Sequence, residues 1–174
     1  MDLHFARPDM EHLGQLKTEV LCVPFHLDEQ PLRGPGGFLD WRLCGRVSHY
    51  QRKGTMVGEL GEAVLMPGRP RFVFERLLWL GAGLRGDMGE LHFRRVVRDA
   101  LTRLCGLRVR TSALVLPGRV ADQIAPSDAV EWLMEEALPF DAELDELTIL
   151  DTPEAQRTMR EWTERVRRRM LSDV

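Results

Sequence analysis

Short, solid apolar runs alternate along this chain with longer stretches in which apolar residues recur every three or four positions. Val20-Leu21-Cys22-Val23, Leu77-Leu78-Trp79-Leu80 and Ala113-Leu114-Val115-Leu116 have strand length and no polar alternation. That is the pattern of strands covered on both faces. They predict strands over Glu19–Phe25 and Thr111–Leu116, with a third over Arg71–Leu80 that begins as an alternating hairpin arm and becomes central. Leu3–Ala6 reads as a short edge strand, Glu62–Met66 as a strand closed by Pro67-Gly68, and Leu147–Leu150 as the last one. Phe93, Val96, Val97, Ala100, Leu101 and Leu104 line one face of a helix from about Glu90 that stops at Gly106. Leu39, Leu43, Val47 and Tyr50 predict a helix from Leu39 to about Gln51. Ser127 is the natural N-cap of a helix carrying Val130, Leu133, Met134 and Ala137. Asp151 or Thr152 caps the final helix, about 153–172, with Pro153 near its first position and a stripe of Met159, Trp162, Val166 and Met170. Six strands and four helices in near alternation predict an α/β fold: a three-layer α/β/α sandwich on a mixed, mostly parallel sheet, forming one domain over 1–174.

Composition narrows the class of partner more than it names one. A net charge of -3 over 174 residues gives no bulk attraction to nucleic acid or to an anionic membrane, so neither is expected as a partner. Cys22, Cys44 and Cys105 are odd in number, widely separated and set among apolar residues, which reads as reduced, buried thiols rather than a disulfide frame. With no signal-peptide pattern after Met1 and no apolar run approaching ~18 residues, the expected location is cytoplasmic. Lys17 and Lys53 are the only lysines; an arginine bias suits carboxylate and phosphate contacts, but a GC-rich genome explains it equally and is preferred.

Candidate chemistry gathers at glycines. Gly81-Ala82-Gly83-Leu84-Arg85-Gly86 joins a strand to a helix and matches the dinucleotide-binding spacing. That fingerprint also needs an acid at the end of the following strand, where this chain has Leu116-Pro117-Gly118; a plain strand-to-helix turn is the better reading, and no cofactor is expected. Gly34-Pro35-Gly36-Gly37 opens a helix and offers unpaired N–H groups to an anion, unless Asp40 in the first helical turn satisfies them. His4, His12, His26, His49 and His92 show no metal-ligand spacing, so no metal is expected. His92 reads as a solvent-facing helix residue, and the acids at Glu135-Glu136 and Glu143–Glu146 as solvated charge. The basic run Arg165–Arg169 ends a helix, where cations offset the macrodipole. A hydrolase built on Asp9, Asp87 and His92 is a remote third reading, since nothing in the sequence places them together.

In order and spacing, Leu21–Phe25, Gly36–Asp40, Gly58–Leu65, Arg76–Gly83 with its helix, and Ser112–Gly118 resemble the N-terminal domain of the leucyl (cytosol) aminopeptidases, over about residues 2–165. The resemblance implies a macro-domain-like fold. It does not imply peptidase activity, because in that family the two-metal chemistry belongs to a separate C-terminal domain whose signature has no counterpart here. By comparison with ADP-ribose binders of the same fold, their first-strand aspartate would fall near Asp9, one phosphate loop on Gly34–Gly37 and the other near Pro117-Gly118-Arg119. Pro24-Phe25 replaces the asparagine pair of the hydrolytic members, Pro35 interrupts the glycine run, and the second loop lacks its serine-threonine-glycine start. The expectation is therefore a stand-alone, non-catalytic domain that binds a protein partner or a second copy of itself. Trp41, Trp132 and Trp162 are candidate interface residues, or else ordinary core aromatics. The rival expectation is a sensor for a nucleotide or ADP-ribose-like phosphate ligand, using Asp9, Gly34, Gly36, Gly37, Gly81, Gly83, Gly86 and Gly118.

Overall fold

The computed structural model describes residues 1–172, with side chains through Arg169. Its elements run β1 (Asp2–Ala6), α1 (Met10–Gln15), β2 (Val20–Phe25), α2 (Gly34–Arg42), α3 (Arg46–Arg52), β3 (Ala63–Pro67), β4 (Arg76–Gly81), α4 (Glu90–Gly106), β5 (Thr111–Val115), α5 (Pro126–Ala137), β6 (Glu146–Leu150) and α6 (Pro153–Ser172). One sheet of order β1-β6-β5-β2-β4-β3 holds all six strands; β3 pairs antiparallel with β4 and every other pairing is parallel. This is the expected mixed, mostly parallel α/β sheet.

The unbroken apolar runs are explained by burial on both faces. Val20 and Cys22, Leu78 and Leu80, and Leu147 and Ile149 pack with α4, α5 and α6 in one core. Their neighbours Leu21, Val23, Phe25, Leu77 and Trp79 pack with α1, α2 and α3 in the other. Successive strand residues point to opposite faces, so a strand buried on both has no polar position to spend.

Several boundaries differ from the periodic reading. The helix predicted from Leu39 to Gln51 is two, because Cys44 (φ 57°) and Gly45 (φ 74°) turn into the left-handed region between them. Its first part begins at Gly34, inside the stretch read as loop, with Pro35 in the first turn where a missing N–H costs nothing. Leu39, Leu43 and Val47 still meet one core, which is why the stripe looked continuous. Arg71–Glu75 is not strand: Phe72 and Phe74 stack at 4.7 Å in a compact turn closed by Phe72 N–H to the Gly68 carbonyl, and their burial produced the alternation. Ser127 does not cap α5; the N-cap position is Ala125, two residues earlier, Pro126 begins the helix, and the Ser127 hydroxyl bonds Asp128. The six-residue α1 carries too little pattern to have been predicted. Thr152 caps α6 through the Ala155 N–H; Met159 and Val166 are buried in its stripe, and the Met170 side chain lies outside those described.

The thiols also differ from expectation. Cys22 is buried, and burial pushes its thiol far up. Cys44 is exposed on the turn between α2 and α3, and Cys105 is half-buried near the end of α4. Glu136, read as solvated, is buried between Arg94 and Arg98. Within the basic run, Arg165 lies over the Trp162 ring and Arg169 pairs with Glu131 and Glu135. Among the described residues no helix is long and apolar enough to cross a membrane.

Candidate functional site

β2 and β5 lie side by side and parallel, but their chains leave in opposite directions: β2 leads to α2 on one face and β5 to α5 on the other. Such a divergence opens a crevice at the carboxyl end of the sheet, the usual ligand position of open α/β folds. Its walls here are the Leu32–Gly36 segment and the Pro117–Gln123 loop.

The first wall is fixed by a carboxylate. Glu29, 8% exposed, accepts the N–H groups of His26 and Arg33, while its own carbonyl receives Gln51 Nε2. The His26 ring, also 8% exposed, sets Nδ1 3.1 Å from the Gly83 carbonyl. A carbonyl can only accept, so Nδ1 is the donor in this contact. On the second wall Gly118 (φ 74°) turns the chain, and Arg119 reaches Asp151 at the end of β6 with Nε 2.8 Å from Oδ2. That pair is 4% and 5% exposed, and Arg119 is completed by the Ile124 carbonyl.

The loop after β4 straps the two walls together. Arg85 donates its N–H to Asp28 Oδ1 at 3.0 Å and Nη2 to the Asp28 carbonyl at 2.9 Å; Gln123 Nε2 donates to the Arg85 carbonyl at 2.7 Å. The Arg85 N–H is the main reason the Asp28 carboxyl is held below its ordinary value of 3.8. Val120 fills the middle: a β-carbon on Gly34 (φ 53°) would lie 2.9 Å from Val120 Cγ1. Two separate cavities remain. One of about 70 Å³ is lined by His26, Glu29, Arg85 and Gln123; the other, about 170 Å³, by Arg119, Asp151 and Thr152. Val115 and Val120 border both.

The sequence-predicted residues are distributed unevenly around this cleft. Gly34, Gly36 and Gly118 border it. Gly37 sits against the Leu32 carbonyl, 2.7 Å from where its β-carbon would be. Gly81 and Gly83 face the crossing segment Gly58–Glu59: Gly83 N–H bonds the Gly58 carbonyl, and a β-carbon on Gly81 would overlap the Glu59 carbonyl. Gly86 has open space around it. Asp9 is the N-cap of α1, taking the His12 N–H at 3.0 Å and the ring Nδ1 at 2.7 Å, and this lowers its carboxyl. His92 neither faces solvent freely nor lines the cleft; its Nε2 is 2.6 Å from the Ala82 carbonyl. Among the described residues no three His, Cys, Asp or Glu side chains gather in a way that would hold a metal. Nothing in the sequence marks Glu29, Arg85, Val120 and Gln123 for this site, and Asp151 reads there only as a possible helix cap, because its Arg119 partner is distant in sequence; Arg119, beside the Pro117-Gly118 turn, carried a signal.

A wider trough, about 990 Å³ and open, runs along the outside of α2 between Trp41, Pro31, Pro70 and Arg71. Trp41 is 72% exposed there, and Phe38, one turn earlier, is 42% exposed, so neither plugs the cleft. Trp132 and Trp162 pack partly buried against the core.

Against known families, residues 22–142 match the N-terminal domain of the cytosol aminopeptidase family. The chain belongs to that family. A probable cytosol aminopeptidase of Pseudomonas fluorescens (strain SBW25) is 31% identical over 101 residues, which are 58% of this chain and 20% of that protein. The chain thus spans about a fifth of the length of the curated relatives it matches. Among solved structures, a mutant of tomato leucine aminopeptidase superposes with a TM-score of 0.63 at 16% identity, covering 94% of this chain and 35% of that one. A Trypanosoma brucei macrodomain in complex with ADP-ribose superposes at 0.70 with 16% identity, covering 91% and 68%. The aminopeptidase resemblance and the macro-like fold both stand.

Proposed function

We propose that this aminopeptidase-family domain works by binding another protein and performs no bond-breaking step of its own. The observation that carries this reading is the contrast between its two concavities. The cleft at the sheet end is occupied by the chain's own Val120 and bridged by Arg85, and its larger remnant, about 170 Å³, is well below the ~300 Å³ at which ligand pockets begin. The carboxylates around it, Glu29, Asp28 and Asp151, are spent on backbone N–H groups and arginines. The outer trough, by contrast, is open and presents an indole to solvent. Exposed aromatics of this kind anchor protein interfaces. Light scattering up to high micromolar concentration, combined with capture of partners on the immobilised chain, tests it: a self-associated species or a reproducible partner is expected. Monomer alone with nothing captured contradicts it.

A second reading, a sensor for an ADP-ribose-like ligand, is favoured by one feature. The two cavities share Val115 and Val120 in their walls, and Val120 is 48% exposed, so its side chain has room to move aside between them. The solved macrodomain complexed with ADP-ribose supports this reading by its shared fold. It predicts that Val120→Ala acquires or strengthens thermal stabilisation by ADP-ribose, reaching about 2.7 kcal/mol at a hundredfold excess over Kd. A flat melt for both the natural chain and the variant counts against it.

A further inference from the structure

We infer that the trough outside α2 is a docking site for an acidic segment of another polypeptide, carrying an apolar side chain beside its carboxylates. The inference rests on the protein-binding reading and gives it a surface and a partner class. Its first support is charge. Arg42 and Arg71 stand on opposite banks, and each guanidinium donates to the other's main chain: Arg42 Nη2 to the Arg71 carbonyl at 2.9 Å, Arg71 Nη1 to the Arg42 carbonyl at 3.1 Å. Carbonyls orient a guanidinium without neutralising it. Neither arginine forms an ion pair among the described residues, and neither does the exposed Arg46 that opens α3. The one carboxylate in the trough, Asp40, is 7% exposed and spent: it takes the Val47 and Ser48 N–H groups and the Ser48 hydroxyl.

Two pre-oriented guanidinium forks with no acid of their own suit bidentate carboxylates. The second support is the apolar lining. Trp41 stands 72% exposed beside Pro31 and Pro70, offering a flat face to one aliphatic, aromatic or proline side chain.

Other occupants fit less well. A long polyanion such as nucleic acid would extend beyond the trough over a molecule whose net charge is -3. The acidic stretch Asp141–Glu146 of a second copy is held in place, with Leu144 buried, Asp145 paired with Arg110 and Asp141 with the amino terminus. That stretch is folded in place and not free to lie extended in a trough.

The test uses the full chain and fluorescence anisotropy of three labelled probes: a short peptide of Glu and Asp around Phe and Pro, the same peptide with Lys for each acid, and a single-stranded oligonucleotide. The acidic peptide alone is expected to bind saturably, more weakly as salt rises. Arg71→Glu and Trp41→Ser should each weaken it by about tenfold or more, the loss expected when charge-assisted hydrogen bonds or a buried aromatic anchor is removed. Arg71→Lys should retain part of the affinity, and circular dichroism should show all three variants folded.

The inference is overturned if the acidic peptide fails to bind, if Arg71→Glu binds it as well as the natural chain, or if the Lys peptide or the oligonucleotide binds as tightly. It is also overturned if light scattering finds an oligomer that Arg71→Glu dissolves, which would make a second copy the occupant. A partner or oligomer that forms undisturbed by these substitutions overturns the inference and leaves the protein-binding reading standing. A chain that binds no protein at all removes both.

Discussion

The glycines of Gly81-x-Gly83-x-x-Gly86 do three different jobs, although the string reads as one motif. Gly81 is where a β-carbon would overlap the Glu59 carbonyl, and Gly83 adopts φ 67° while donating to the Gly58 carbonyl; a β-carbon on Gly86 would meet open space. What demands glycine is the crossing of the Gly58–Glu59 segment over the end of β4, a contact between residues more than twenty positions apart. No spacing rule within the string could reveal that. Gly81→Ala is therefore expected to cost about 1–3 kcal/mol or more in urea unfolding, as backbone overpacking does. Gly86→Ala should be neutral or stabilising by up to about 1 kcal/mol. Equal, large losses at both positions would contradict the packing account. Asp28 is a second residue whose role is legible only in three dimensions. Its carboxyl is lowered chiefly by the Arg85 N–H, so the latch contributes fully above the ordinary value of 3.8 and is lost as pH falls through the lowered one. The Arg85 amide resonance should titrate with a midpoint below 3.8. A midpoint at or above that value would show that the bond is not held in solution.

At the level of elements, the strands were readable because their burial on both faces removes polar alternation, and α4 because its stripe is long and ends at a clean stop. The α2–α3 pair was not readable as a pair. Leu39, Leu43 and Val47 keep helical spacing across the break because both helices lie on the same core face, so the pattern that normally marks one helix survives its interruption. What makes the break tolerable is Asp40. It lies in α2 yet its Oδ1 receives the Val47 and Ser48 N–H groups in the first turn of α3, as an N-cap side chain would. The sequence reading took Asp40 as a satisfier of its own helix start, which is the right chemistry one helix too early. Asp40→Ala should destabilise the chain by about 1–2 kcal/mol, the usual loss for a cap. Increased amide exchange should be confined to α3 and the adjoining trough. Exchange raised at the start of α2 instead would contradict this assignment.

For the molecule as a whole, the mixed, mostly parallel α/β sheet followed from the alternation of elements, while its strand order did not, and the family match agrees with the order of its motifs. The state of the cleft did not follow from the sequence. The glycine loops were visible as loops, but whether they open or close depends on Val120, Arg85 and Gln123, residues with no individual signature. The structure brings the Gly34 segment against the Gly118 loop and leaves the Gly81–Gly86 loop as a strap, contributing Arg85 rather than a row of backbone donors. The exposed face then lies elsewhere, along the outside of α2, where Trp41 faces solvent and Arg42 and Arg71 form no ion pair among the described residues.

The most direct measurement is a two-dimensional amide NMR titration of the full chain with ADP-ribose. The account predicts that the Gly34, Gly36 and Gly118 amides do not move in a saturable way, while an acidic peptide shifts the Trp41 indole and its neighbours on α2. Saturable shifts of those glycine amides with ADP-ribose, and a silent Trp41 with the peptide, would contradict it.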